Sequence, residues 1–147
     1  MYRIMRKINL ISRCQGNYLA EKMKQTGVYH GHHGYVLTIA RNPGISQEAL
    51  SAAMCVNKSN VARAVAQLEE LGFVERRPAD RDKRVLQLYP TEKLQLVLPQ
   101  IRNDTQAWNT YLTEGLREED MQQFHRILDH IVERAIAYAE KGAAVSE

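Results

Sequence analysis

The stretch SQEALSAAMCVNKSNVARAVAQLEELGFVERRPADRDKRVLQLYPT, residues 46–91, decides the fold of this chain. Ser46 is suited to cap a first helix from Gln47 to about Met54. Asn57 is suited to cap a second helix, which ends near Leu71 because a glycine follows it. Two short helices with a connector of about three to four residues are the pattern of a helix-turn-helix.

The second helix sorts its side chains along its length. Its apolar stripe consists of Val61, Ala64, Val65, Leu68 and Leu71. Its outer face carries Lys58, Ser59, Asn60 and Arg63 in the N-terminal half, whereas Glu69 and Glu70 lie at the end. Acids near a helix C-terminus are mildly unfavourable to the helix dipole, so helix stability does not explain this order. Insertion of the N-terminal half into a DNA groove explains it, and a generic solvent-exposed face is the alternative.

Two strand-like runs follow the second helix and predict a hairpin wing. They are Phe73 to Arg77 and Arg84 to Tyr89, with a turn from Pro78 to Lys83 between them. From Arg76 to Arg84 the chain carries five cations and two acids, a net charge of +3 over nine residues. Asp82 can pair with a neighbouring arginine and fix the turn. Another arginine is then free to enter a minor groove narrowed by A·T pairs.

Amphipathic helices are predicted on both sides of this core, over residues 2 to about 25, from Thr91 to about Leu112, and from about Arg117 to Glu140. Pro99 predicts a kink or an early break in the middle one. Their apolar stripes need a partner, and a second copy of the chain is the simplest one. The predicted fold is mainly α with a small β-hairpin wing. Residues 31–90 form the winged helix-turn-helix, and residues 1–30 and 91–147 form a helical dimerisation region of one compact chain.

The overall composition permits nucleic-acid binding without requiring it. The net charge is +3 and the sequence pI is about 8.9. Cys14 and Cys55 show no metal-ligand spacing, and isolated cysteines are typical of a reducing compartment. Cys55, in the connector, is predicted to be a small buried residue. There is no signal-peptide pattern and no apolar run of membrane-spanning length, so the sequence predicts a cytoplasmic protein.

Two segments together resemble the MarR family of bacterial transcription regulators: NPGISQEALSAAMCVNKSNVARAVAQLEELGFVERRP and DRDKRVLQLYPTEK. A third, GLREEDMQQFHRILDHI, extends the resemblance over nearly the whole chain. The resemblance implies a winged-helix homodimer, joined through its terminal helices, that usually represses transcription from palindromic operators. In the family's wing pattern, Asp-x-Arg-Asp-x-Arg, the residues Arg81, Asp82 and Arg84 match, and Ala79 stands at the first Asp position.

We therefore predict that this chain binds double-stranded DNA as a regulator, with no cofactor. Ser46 and Gln47 form a helix N-terminus suited to phosphate. Major-groove contacts are assigned to Lys58, Ser59, Asn60 and Arg63. Arg81 is assigned to the minor groove with Asp82 as its support, and Arg76, Arg77, Lys83 and Arg84 are phosphate-binding or wing-fold residues. No catalytic motif is present, so an enzyme is not predicted.

Three sensing modes stay open at this level. Many family members release DNA on binding a small phenolic ligand, and Tyr18, His33, Tyr35, Trp108 and Tyr111 are candidates for an aromatic pocket, although each is also typical of a core. Other members sense oxidants through an N-terminal cysteine, which makes Cys14 a redox candidate. His30, His32 and His33 are weak metal candidates, because neighbours in a glycine-flanked loop rarely converge on one ion. A winged-helix protein-interaction module without specific DNA binding is the alternative of a different class.

Overall fold

The computed structural model describes residues 3–144, and the side chains of residues 3–142. Its helices are α1 Ile4–Lys22, α2 His33–Arg41, α3 Gln47–Met54, α4 Lys58–Glu70, α5 Glu92–Thr113 and α6 Glu118–Ala144. Its strands are β1 Ile45–Ser46, β2 Val74–Pro78 and β3 Leu86–Pro90. Two short 3-10 turns, Met23–Thr26 and His30–His32, connect α1 to α2. The predicted fold class, mainly helical with a β wing, is confirmed.

The contacts divide the chain into two units, Met1–Trp108 and Asn109–Glu147. The first unit holds the core, which gathers buried side chains from α2, α3, α4 and the sheet. The end of α1 adds Leu19, and the first half of α5 adds Leu94 and Ile101. In the second unit none of the described side chains of α6 is buried. The predicted role of the terminal helices in dimerisation stays a prediction.

The two predicted caps of the helix-turn-helix are confirmed. Ser46 Oγ accepts a hydrogen bond from Ala49 N at 3.0 Å, and Asn57 Oδ1 accepts one from Asn60 N at 2.8 Å. Each cap satisfies a backbone N–H that the first turn leaves without a partner. Gly72, at φ 79°, ends α4 in the left-handed conformation that glycine adopts most readily. Local chemistry therefore sets both ends of the recognition element.

Two residues near these helix ends lie differently from the prediction. Cys55 is exposed, because it adopts the left-handed conformation (φ 50°) at the end of α3, and its side chain does not enter the core. Leu71 was assigned to the apolar stripe of α4 but is 46% exposed, because it lies beyond the last residue of the helix. The other four stripe residues are buried.

The wing belongs to a three-stranded antiparallel sheet in the order β1-β3-β2. Pairs from Val74↔Pro90 to Pro78↔Leu86 form the predicted hairpin, and residues 79–85 form its tip. The additional strand β1 pairs Ile45 with Leu88 and was not predicted. This pairing joins the chain just before α3 to the base of the wing, so the start of α3 is held against the same sheet as the wing.

The helices that follow the wing also begin as the sequence predicts. Thr91 Oγ1 accepts a hydrogen bond from Leu94 N at 3.3 Å at the start of α5. Of the two outcomes predicted for Pro99, the early break is wrong, because α5 continues through it to Thr113, and the kink stays a prediction. A proline removes one backbone hydrogen bond, and the 22 residues of this helix tolerate that loss. No helix within residues 3–144 is long and apolar enough to cross a membrane.

Candidate nucleic-acid interface

The predicted major-groove residues lie together at the N-terminal end of α4. Lys58, Ser59 and Arg63 are exposed, and Asn60 is half-buried. Asn57 Oδ1 accepts a second hydrogen bond from Ser59 Oγ at 2.9 Å, and the Arg63 guanidinium donates to Asn60 Oδ1. The result is a small ordered array of donors around a helix N-terminus, where the helix dipole favours anions.

A cleft of about 250 Å³ brings this end of α4 together with the start of α3 and the wing. It is lined by Ser46, Gln47, Glu48, Lys58, Arg84, Val85 and Leu86. Four of these seven, Ser46, Gln47, Lys58 and Arg84, are predicted DNA contacts. Lys58 Nζ lies 3.4 Å from Glu48 Oε1 in an exposed pair. Three separate segments of sequence therefore converge on one face.

The wing tip is ordered by Asp82. Its carboxylate accepts hydrogen bonds from Arg84 N, Nε and Nη2 at 3.0, 3.1 and 3.2 Å. The Arg84 side chain, and then its backbone N–H, hold the pKa of Asp82 below its usual range. Ala79 N donates to Val85 O at 2.8 Å, so the loop closes through the backbone although an aspartate is absent at residue 79.

Among the described residues, Arg81 differs from the other wing cations in having no partner. Within the part of the chain that the structure describes, its guanidinium takes part in no hydrogen bond or ion pair, and the residue is exposed. Its neighbour Lys83 lies 3.7 Å from Asp80, and Arg84 is held by Asp82. Asp82 therefore pairs with a neighbouring arginine as the sequence predicts, and the entry of Arg81 into a minor groove stays a prediction.

Arg76 and Arg77 are engaged within the fold. Arg76 pairs with Glu69 at the end of α4, with Nε 2.6 Å from Oε2. Arg77 pairs with Glu75 at 2.9 Å and lies over the Tyr89 ring, 4.5 Å from its centroid. Of the two roles predicted for these arginines, the contacts favour wing folding over phosphate binding. The sequence analysis does not predict that Glu69 pairs with Arg76. The available signal is an acidic residue at the end of a helix that a basic strand follows.

The predicted effector residues separate into smaller groups. Tyr18 stacks on Trp108 with ring centroids 5.0 Å apart, and Tyr18 OH donates to Asp104 O at 3.1 Å. Tyr35 is 8% exposed and belongs to the core. His33 is half-buried, with Nδ1 3.2 Å from His30 O. Tyr111, in the second unit, is 70% exposed.

Among the described residues, the redox and metal candidates are not brought together into a site. Cys14 and Cys55 are both free and exposed. Among the described residues, no group of three or more His, Cys, Asp or Glu side chains is placed to hold a metal ion. His32 instead packs into an aromatic cluster, edge-on to Tyr29 at 5.1 Å and to Tyr35 at 6.0 Å.

His32 makes the stability of this region sensitive to pH. Its ring is buried, and within the part of the chain that the structure describes its Nδ1 has no hydrogen-bond partner. Burial, and secondarily the charge of His30, lower the pKa of His32 below the ordinary value of 6.5. The unfolded chain therefore takes up this proton at a higher pH than the folded chain. The stabilisation is complete above pH 6.5 and is lost as the pH falls below it toward the folded-state pKa.

We expect the urea midpoint of unfolding to fall between pH 7.5 and pH 5.5, and to fall less in His32→Leu. Burial also lowers the pKa of His33, so a smaller dependence remains in that variant. The control is His125→Gln, on exposed α6, which should keep the dependence of the parent protein. Equal pH dependence in the parent and in His32→Leu would contradict the assignment.

Comparisons with known proteins show what this chain is similar to. The protein-family model whose description is "MarR family" matches residues 29–86 of this chain. The uncharacterized HTH-type transcriptional regulator YybA of Bacillus subtilis (strain 168) is 30% identical over 142 residues, which are 95% of each chain. The transcriptional repressor MprA of Escherichia coli (strain K12) is 35% identical over 92 residues, 59% of this chain and 51% of that protein.

Solved structures extend the likeness to the whole fold. The crystal structure of the transcriptional regulator SlyA superposes with a TM-score of 0.91 at 29% identity and covers 95% of this chain and 98% of that chain. A MarR family regulator from Listeria monocytogenes, crystallised with a 26mer DNA, gives 0.90 at 25% identity. There the match covers 95% of this chain and 93% of the other.

Proposed function

We propose that this chain, which belongs to the MarR family of transcriptional regulators, is a cytoplasmic homodimeric repressor that binds a palindromic operator and is released by a small molecule. The family consists of DNA-binding regulators and not of enzymes. The observation that carries the proposal is the convergence of the α4 N-terminus, the α3 N-terminus and the wing on one cationic face. Repression is supported by MprA, which is itself named a repressor.

Exposed apolar side chains on the terminal helices support the homodimer. On α1 they are Ile4, Met5, Ile8, Leu10 and Ile11, and on α6 they are Phe124, Ile127, Val132 and Ile136. Burial of apolar surface contributes about 25 cal/mol per Å², and soluble monomers rarely expose large apolar patches. A second copy of the chain, with the same faces, is the proposed cover.

Two-fold symmetry then determines the form of the operator. Two α4 helices in successive major grooves lie roughly 34–36 Å apart, which requires two inverted half-sites. In each half-site Ser59, Asn60 and Arg63 face the base edges. Lys58 and the start of α3 meet phosphates, and Arg81 enters the adjacent minor groove.

The proposed effector is an aromatic molecule that stacks beside the Tyr18–Trp108 pair. The pair is half-buried, and Lys22 Nζ lies 5.8 Å from the centroid of the Tyr18 ring. A thermal-shift screen with phenolic acids, Zn²⁺ and an organic peroxide separates the three sensing modes. A shift with phenolic acids that Tyr18→Ala abolishes supports this site. A shift only with the peroxide, lost in Cys14→Ser, replaces it with the redox mode.

DNA recognition is tested with a duplex selected from a random-sequence pool, called here the operator duplex. We expect it to bind at least about 10³-fold more tightly than a scrambled duplex at the same salt concentration. Binding should weaken steeply as salt rises, because phosphate contacts release counterions. Equal affinity for the two duplexes contradicts specific regulation, and no binding to either favours the protein-interaction alternative.

A further inference from the structure

The ion pair between Glu69 and Arg76 is the least exposed one among the described residues. Glu69 lies on the last turn of α4 and Arg76 lies in the middle of β2. Arg76 Nε and Nη2 lie 2.6 and 2.5 Å from Glu69 Oε2. The side chains are 30% exposed for Arg76 and 37% for Glu69. Partial shielding from water and a planar guanidinium make such a pair more rigid than a surface ion pair.

The pair is remote from the DNA-facing end of the helix. Glu69 lies eleven positions after Lys58, which is about 16 Å along a helix axis. On β2, Arg76 shares a face with the buried Val74, because alternate residues of a strand point to the same side. Arg76 is therefore directed toward α4 and is occupied there, whereas a phosphate contact requires a free guanidinium.

The pair spans a turn that is already held from another side. Lys93 Nζ donates to Leu71 O at 2.6 Å, and Thr91 Oγ1 donates to Gly72 O at 2.6 Å. Both of these contacts lie in the turn itself. Within residues 3–142 no other ion pair or side-chain hydrogen bond joins α4 to β2. The Glu69–Arg76 pair is thus the polar side-chain link between the recognition helix and the wing, beside the apolar packing of Val74 in the core.

We propose that Glu69 and Arg76 are positioning residues for DNA recognition, which hold the wing so that α4 and Arg81 reach adjacent grooves of one duplex. The inference rests on the proposed function. Recognition groups must be held within roughly 0.5 Å and 10–20° of the productive geometry. Arg81 lies in the tip beyond the end of β2, so a small change of strand angle displaces it from the minor groove.

Charge alone predicts that Glu69→Ala binds DNA more tightly, whereas the proposed positioning role predicts that it binds more weakly. Removal of a carboxylate from a DNA-binding surface raises the affinity for a polyanion, whereas loss of the pair lowers it. We expect Glu69→Ala and Arg76→Ala each to weaken binding to the operator duplex by about 10-fold, and the double variant by about 10-fold rather than 100-fold. The matched control is Glu70→Ala, an exposed neighbour outside the pair, which should bind as the parent protein does or slightly more tightly.

Two further readouts separate positioning from phosphate contact and from general destabilisation. Arg76→Ala should lose the discrimination between duplexes with A·T and with G·C pairs facing the wing, as Arg81→Ala should, whereas loss of a phosphate contact weakens binding about equally across sequences. In an Arg81→Ala background, Glu69→Ala should have little further effect, because the displaced group is already absent. If Glu69→Ala only destabilised the fold, its effect on DNA affinity would add to that of Arg81→Ala. The charge-swapped variant Glu69→Arg/Arg76→Glu should recover part of the affinity.

The outcomes distinguish this inference from the proposed function. If the parent protein does not prefer the operator duplex, the proposed function fails. If it does, but Glu69→Ala binds as tightly as the parent or the two substitutions act additively, the positioning role is overturned. Circular dichroism identifies the variants that remain folded. If Glu69→Ala unfolds, Glu69→Gln supplies the same comparison, because it removes the charge and keeps the shape.

Discussion

Replacement of Arg81 with alanine is expected to weaken operator binding by about 1–3 kcal/mol and to leave dimerisation unchanged. The guanidinium is exposed and has no partner within the described residues, so its removal disturbs no contact of the folded chain. A narrow minor groove concentrates negative potential, and an inserted arginine gains more from it than from an isolated phosphate. The loss should therefore depend on sequence and be largest where A·T pairs face the wing.

The measurement is a titration of the operator duplex at fixed salt, beside a duplex whose wing-facing A·T pairs are replaced by G·C. The parent protein should discriminate between the two, and Arg81→Ala should not. Lys83→Ala is the matched control, because Lys83 lies in the same loop beside Asp80. It should weaken both duplexes equally and reduce the salt slope by about one unit. Unchanged affinity in Arg81→Ala would remove this residue from the interface.

The features that the sequence predicted well are those set by local chemistry. The caps at Ser46 and Asn57, the glycine after α4 and the pairing of Asp82 with an arginine all involve residues within three positions of each other. Such short-range preferences appear directly in the order of residues. For the same reason the recognition helix and the wing tip, which are the parts proposed to contact DNA, are the most predictable parts of the chain.

The missed features depend on contacts between distant segments. The strand β1 has two residues, too few for an alternating pattern, and it exists because Leu88 pairs with Ile45 from 43 positions away. The exposure of Cys55 follows from its left-handed backbone, which no residue type announces. From the position of Glu69 at the end of α4, the sequence predicts only that this carboxylate is kept away from DNA. The structure adds that it is held by Arg76, a pairing that requires the turn to be folded first.

The second large effect is expected on α6, where Phe124→Glu/Val132→Glu should convert the proposed dimer to a monomer. Both side chains are about half exposed in the single chain, at 52% and 46%, so the fold of one chain does not need them. In a dimer, each carboxylate would be buried in an apolar face without a partner, which costs several kcal/mol. Sedimentation velocity should show a monomer, with helix content unchanged by circular dichroism.

The same variant tests whether operator affinity depends on two linked reading heads. A dimer engages its second half-site at a high effective concentration, which typically raises the affinity by 10²–10⁴-fold. The monomer should therefore bind the full operator and a single half-site alike, whereas the parent protein should prefer the full operator by at least about 100-fold. Ala137→Glu is the control, because residue 137 lies on the opposite side of α6 beside Arg134 and Lys141. A parent protein that binds half-site and full operator equally would show that one wing and one α4 suffice, and the apolar face of α6 would then serve another partner.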